Sequence, residues 1–69
     1  MTQKELLYVE DAIGHEENII KIIGDMLENL KDDNLISFMQ EELNNHVSIK
    51  DELINLLEVK INEWSIINE

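Results

Sequence analysis

Residues 6–30 read LLYVEDAIGHEENIIKIIGDMLENL, and the predicted fold rests on the pattern of this segment. Steps of three and four residues from Leu6 trace an apolar seam with one interruption, at Glu16. The members of this seam are Leu6, Val9, Ile13, Glu16, Ile20, Ile23, Leu27 and Leu30. An apolar period of about 3.6 residues is typical of an amphipathic α-helix. The stretch therefore predicts a helix over about 3–30 with an acidic residue at the centre of its buried face.

Signals at both ends of this helix set its limits. Thr2 and Glu5 stand three residues apart and match a capping box, so the helix should start near residue 3. The residues KDDN at 31–34 suit a turn and the N-cap of a second helix over about 35–66. Proline is absent and only two glycines occur, of which we expect Gly24 to allow close helix packing. The sequence therefore predicts an all-α fold, a single antiparallel two-helix hairpin over residues 1–69.

The second helix also carries ionisable residues on its apolar face. That face is predicted to contain Leu35, Met39, Ile49, Leu53, Leu57 and Trp64. Glu42 and His46 fall near its middle, and their spacing of four residues places them one above the other. Glu16 and His46 lie at similar distances from the predicted turn. We therefore expect Glu16, Glu42 and His46 to converge at one level of the hairpin.

Size and charge limit the classes of function. A chain of 69 residues without cysteine buries little surface and has no disulfide, so we expect a homodimer or a higher homo-oligomer. Two hairpins related by a two-fold axis would form a four-helix bundle. A net charge of −11 argues against nucleic acid and an anionic membrane surface as partners. The chain has neither a membrane-length apolar run nor a signal-like N-terminus, so we expect a cytoplasmic location.

The leading hypothesis for function is metal binding. In a homodimer, Glu16, Glu42 and His46 supply four carboxylates and two imidazoles, the ligand count of di-iron carboxylate bundles. These ligands suit iron first, with manganese or zinc as alternatives. Any reaction would be iron oxidation or another redox step at paired metals, and the sequence leaves open whether the protein is an enzyme.

The alternative hypothesis is a structural or interaction protein without a metal. A buried polar layer can fix the register of a helical bundle, and a Glu–His pair can satisfy its own hydrogen bonds together with ordered water. The spacing supports this alternative, because metal ligands in such bundles usually follow Glu-x-x-His and Glu42 stands four residues before His46.

A family resemblance rests on the segment LLYVEDAIGHE, residues 6–16, followed by a hairpin and by Glu42 and His46. In these features the chain resembles the short coat F-like spore coat proteins, relatives of the ferritin-like superfamily. The resemblance covers most of the chain and implies a ferritin-like helical hairpin, half of a four-helix bundle. It also implies an association with the spore coat or with metal, with Glu16 and His46 at the positions of the helix 1 acid and the helix 2 histidine.

Overall fold

The structure is a computed structural model that describes the backbone of residues 1–67 and the side chains of residues 1–63. Its two elements are α1, Gln3–Leu27, and α2, Asp33–Ile67. The helices pack against each other as an antiparallel hairpin, a rod 55 Å long and 15 by 13 Å across. The predicted all-α hairpin is confirmed. Within the described residues, neither helix combines the length and the apolarity needed to cross a bilayer.

The predicted capping box starts α1. The Thr2 hydroxyl accepts a hydrogen bond of 3.1 Å from the backbone N–H of Glu5. The Glu5 carboxylate in turn accepts one of 2.8 Å from the backbone N–H of Thr2. These two bonds satisfy backbone donors that have no partner inside the helix, which is why the helix begins at Gln3.

The end of α1 comes at Leu27, three residues before the predicted end. The backbone N–H of Asn29 donates to the carbonyl of Met26 at 3.0 Å, which tightens the last turn. The Asn29 side chain also donates to the carbonyl of Asp25 at 2.9 Å. Leu30 remains half-buried beyond this point. The apolar period therefore outlasts the helix, and the sequence pattern overestimated its length.

Asp32 sets the start of α2. Its carboxylate accepts a hydrogen bond of 2.8 Å from the backbone N–H of Leu35, and its carbonyl accepts one of 2.9 Å from that of Ile36. Asp32 is therefore the N-cap, and α2 begins at Asp33, two residues before the predicted start. The connection consists of residues 28–32 in place of the predicted 31–34.

The seam predicted for α1 faces α2 along its whole length. All eight of its members are buried or half-buried. Ile23, at 5% exposure, is the one buried side chain among those that the structure describes. The hairpin therefore encloses almost no core of its own.

The buried stripe of α2 is rotated from the predicted one. Leu35 and Ile49 were predicted to lie in the apolar face, but they are 42% and 41% exposed. Leu43, Lys50 and Ile54 are half-buried on the other edge of the stripe. Met39, Leu53 and Leu57 are half-buried as predicted, whereas the side chain of Trp64 lies outside the described residues.

Exposed apolar side chains gather on one side of the hairpin. Counted from the N- to the C-terminus of each helix, they lie about 100° from the seam on α1 and about 100° from the buried stripe on α2, in the same rotational sense. Because the helices are antiparallel, both rotations lead to the same side, and Tyr8 and Leu56 line one shallow groove there. We call this surface the apolar flank. Its exposed members are Tyr8, Ile22 and Met26 of α1 and Leu35, Phe38, Ile49, Leu56 and Val59 of α2, and the half-buried Ala12 and Ile19 of α1 complete it.

The two glycines of α1 lie in open space. A Cβ atom built at Gly14 or at Gly24 would meet no neighbouring atom within 4 Å. The expectation that Gly24 allows close helix packing is therefore wrong for the hairpin itself, because no atom of α2 lies within 4 Å of a Cβ atom built there.

Candidate functional site

One polar contact joins the two helices at mid-height. The Nδ1 atom of His46 lies 2.5 Å from the Oε2 atom of Glu16, thirty residues away along the chain. The side chains of His46 and Glu16 are 24% and 16% exposed. Among the described side chains this is the only hydrogen bond between α1 and α2, and it lies inside the otherwise apolar seam.

A second carboxylate stands on the other side of the imidazole. The Nε2 atom of His46 lies 3.8 Å from the Oε2 atom of Glu42, which precedes it by one helical turn. This distance is too long for a hydrogen bond but short enough for an ion pair when the ring is protonated. The Glu42 side chain is 37% exposed, more than either of its neighbours. We call Glu16, His46 and Glu42 together the polar layer.

The position of the turn brings the polar layer together. Glu16 stands 12 residues before Glu28, the first residue of the connection, and His46 stands 14 residues after Asp32, the last. At about 1.5 Å of rise per residue, these distances place both side chains at nearly the same height. The predicted convergence of Glu16, Glu42 and His46 is thus found in the structure.

One hydrogen bond joins the two helices in the polar layer. Because a carboxylate accepts hydrogen bonds, Nδ1 of His46 donates to Glu16, and a protonated ring would also direct Nε2 toward Glu42. None of the described side chains has a fully buried polar atom without a partner. Within one chain the polar layer therefore links α1 to α2 through the contact between Glu16 and His46.

The side chains of the polar layer are of the chemical type that binds transition metals, but their spacing differs from that of metal ligands. Two carboxylates and an imidazole suit iron, manganese or zinc. Two ligands of one metal at bond lengths of about 2.0–2.2 Å stand about 3 Å apart, however, and Nδ1 and Oε2 are closer than that. Among the described residues, no group of three or more His, Asp or Glu side chains is arranged to hold a metal ion. Metal binding would require Glu16 and His46 to separate.

Other polar residues near the polar layer point away from it. Glu10, Glu17 and His15 are exposed. His15 occupies the apolar flank between Ala12 and Ile19. A groove of about 570 Å³ lies at the open end of the hairpin between the start of α1 and Lys60 of α2. It does not include the polar layer.

Comparison of the chain with protein-family models, with curated proteins and with solved structures found no match. The protein is therefore described by its own fold and site. It is an all-α two-helix hairpin with a carboxylate–histidine–carboxylate layer at mid-height and an open apolar flank.

Proposed function

We propose that this protein is a self-assembling helical module in which two copies form a four-helix bundle. The observation that carries the proposal is the imbalance between buried and exposed apolar groups. One described side chain is buried, whereas at least eleven large apolar side chains are exposed, several of them by more than half. An isolated hairpin of this kind is marginal in water, because most helix stability comes from packing an apolar face. A second copy supplies the missing packing.

The polar layer gives such an assembly a fixed register. Pairing two hairpins through their middles would place four carboxylates and two imidazoles in one layer. A polar layer tolerates fewer alternative alignments than an all-apolar stripe does, since sliding one copy would bury unpaired carboxylates. Such an assembly fits a structural component like the spore coat proteins that the sequence resembles, and the proposed location is the cytoplasm with spore association.

Concentration dependence tests the assembly. We expect sedimentation equilibrium to give twice the chain mass of 8.1 kDa at micromolar concentration. We also expect the melting temperature to rise with protein concentration, because association couples folding to mass action. A monomer that melts cooperatively at the same temperature over a hundredfold range of concentration would refute the proposal.

A second candidate function is transition-metal binding by the polar layer at the homodimer interface. The observation in its favour is that both ring nitrogens of His46 face carboxylate oxygens, so three potential ligands already meet at one point. Glu16, Glu42 and His46 of both copies would hold the metal, with iron first and manganese or zinc as alternatives. A bound pair of such ions would supply redox chemistry.

Metal analysis and a paired substitution separate the two candidates. Metal binding predicts one or two transition metals per dimer by elemental analysis and a melting temperature that falls on chelation. A metal-free layer predicts neither result. It also predicts that the double variant Glu16→Leu/His46→Leu is more stable than the natural chain by about 1–4 kcal/mol, since apolar side chains often replace a buried ion pair favourably. Substoichiometric metal together with a more stable leucine variant would rule out the metal candidate.

A further inference from the structure

We infer that the second copy docks on the apolar flank with its connection at the opposite end, about a two-fold axis at the height of the polar layer. This inference rests on the proposed self-assembly and adds its surface and orientation. The flank is part of a rod 55 Å long and 15 Å wide. A surface of those dimensions is on the order of the ~800 Å² that each partner contributes to a stable interface.

The spacing of apolar residues on α2 carries the choice of orientation. Leu35 and Val59 lie 12 residues on either side of Val47, and Phe38 and Leu56 lie nine residues on either side of it. All four are exposed in the hairpin. Turning α2 end over end about Val47 therefore exchanges Leu35 with Val59 and Phe38 with Leu56. The apolar row of α2 is complementary to its own inverted copy.

The row of α1 has the same symmetry about a neighbouring point. Tyr8 and Ile22 lie seven residues on either side of His15, and Ala12 and Ile19 lie three and four residues from it. The contact between Glu16 and His46 places residues 15 and 47 at one height, because each lies one residue further from the connection than its neighbour in that contact. One two-fold axis therefore maps most of both rows onto themselves, whereas Met26 and Ile49 come opposite Lys4 and Asn45. An isologous dimer requires this self-complementarity, whereas a different partner does not.

The alternative orientation leaves the end of the α2 row uncovered. If both connections lay at the same end, α2 would pack on the α1 of the second copy. Val59, 52% exposed, would then stand beside the polar start of α1 near Lys4 and Glu5. With the connections at opposite ends, Val59 meets Leu35 of the second copy. The greater length of α2, 35 residues against 25, also favours pairing it with another α2.

The proposed axis brings negatively charged side chains of the two copies close together. Glu42 and Glu52 lie five residues on either side of Val47, so each approaches the other residue of the second copy. Like charges near an interface repel, and salt screens that repulsion. We therefore expect dimerisation to strengthen as NaCl is raised. A basic partner docked on the flank would show the opposite dependence, because salt would screen its attraction to a chain of charge −11.

Matched substitutions test the surface. Ile22 on the flank and Leu7 off it are 51% and 55% exposed and lie on the same helix. We expect Ile22→Glu to weaken dimerisation at least tenfold by sedimentation and Leu7→Glu to change it less than threefold. Phe38→Glu, at a position 57% exposed, tests the α2 row in the same way. If Leu7→Glu disrupts the dimer as strongly as Ile22→Glu does, the assigned surface is wrong although self-assembly stands.

A crosslink tests the orientation without relying on stability. The chain has no cysteine, so a single introduced thiol reports one position. With the axis near residue 15, we expect His15→Cys to give covalent dimers with a short bis-maleimide reagent, and Leu7→Cys to give few. With both connections at the same end, the two thiols at position 15 would lie on diagonal helices, out of reach. A dimer in which His15→Cys does not crosslink would exclude the proposed axis, whereas a purely monomeric protein would exclude the proposed function itself.

Discussion

His46 donates a hydrogen bond from Nδ1 to Oε2 of Glu16 across the hairpin, at 2.5 Å, and stands 3.8 Å from Glu42 on its own helix. The contact between helices is therefore the closer of the two. Because it joins residues thirty apart in sequence, it ties the middle of α1 to the middle of α2. The contact within α2 adds a second negative charge beside the same ring.

This ranking can be measured with two double-mutant cycles. For Glu16→Ala and His46→Ala we expect a coupling free energy of about 1 kcal/mol in urea unfolding, the usual net value of a partly buried hydrogen bond. For Glu42→Ala and His46→Ala we expect less than about 0.5 kcal/mol, since a half-exposed pair one turn apart is screened by water. Equal couplings in the two cycles would contradict the geometry of the polar layer.

Both glycines of α1 are expected to be replaceable with a gain in stability. Gly14→Ala and Gly24→Ala should each raise the free energy of unfolding by about 0.5–1 kcal/mol, because alanine loses less backbone entropy in a helix and its methyl group meets open space. Chemical denaturation of each variant gives the values. Neither residue belongs to the apolar flank, so we expect the dimerisation constant to stay unchanged. A loss of stability for Gly24→Ala would instead reveal an intermolecular contact on that side.

We expect the N-cap of α2 to contribute to the free energy of unfolding through Asp32 alone. Asp32→Ala removes the acceptor of the Leu35 backbone N–H and should lower the free energy of unfolding by about 1 kcal/mol. Asp33→Ala is the matched control, since Asp33 lies in the first turn and acts only through the helix dipole. We expect the control to cost less than half as much. Denaturation curves of the two variants in one buffer measure both losses. A larger loss of unfolding free energy for Asp33→Ala would show that Asp33, rather than Asp32, is the N-cap.

The capping box of α1 predicts a pH dependence. Hydrogen bonds from the backbone N–H of Thr2 and from its hydroxyl lower the pKa of Glu5 below its ordinary value of 4.5. A carboxyl group whose pKa is lower in the folded state stabilises that state fully above its unfolded pKa. This contribution is lost as the pH falls through the lowered pKa. We therefore expect the first turn of α1 to fray in acid at a pH below 4.5.

NMR titration of the Glu5 side chain measures this shift directly. In Thr2→Val the hydroxyl is gone, and we expect the pKa of Glu5 to move up toward 4.5. Amide exchange near residues 3–6 should accelerate in the same variant at neutral pH. An unchanged Glu5 pKa in Thr2→Val would show that the hydroxyl has no part in it.

The two helices follow from local rules that the sequence displays. The capping box of Thr2 and Glu5 gave the correct start of α1, and the spacing of its seam gave the face that meets α2. The end at Leu27 was missed because Leu30 keeps the apolar period after the hydrogen bonds have changed. The start of α2 was missed because both Asp32 and Asp33 can cap a helix, and only the folded turn selects between them.

The polar layer was predictable in its members and less so in its arrangement. Equal distances from the turn were enough to bring Glu16 and His46 together. The preference of His46 for Glu16 over Glu42 depends on how α2 is rotated about its axis, and the exposed positions of Leu35 and Ile49 show that the predicted rotation was off. An error in the predicted rotation of α2 moves a side chain from its buried stripe to the apolar flank. The apolar flank itself therefore became visible only with both helices in place.

With one buried side chain among those described, Ile23, the proposed self-assembly would tie the lifetime of this protein to how much of it is made. Below the concentration at which copies associate, the chain would spend more time open, and proteases cleave the open form. Above that concentration, association would protect newly made copies from degradation. Expression level would then act as a threshold, below which single chains are cleared and above which the protein accumulates.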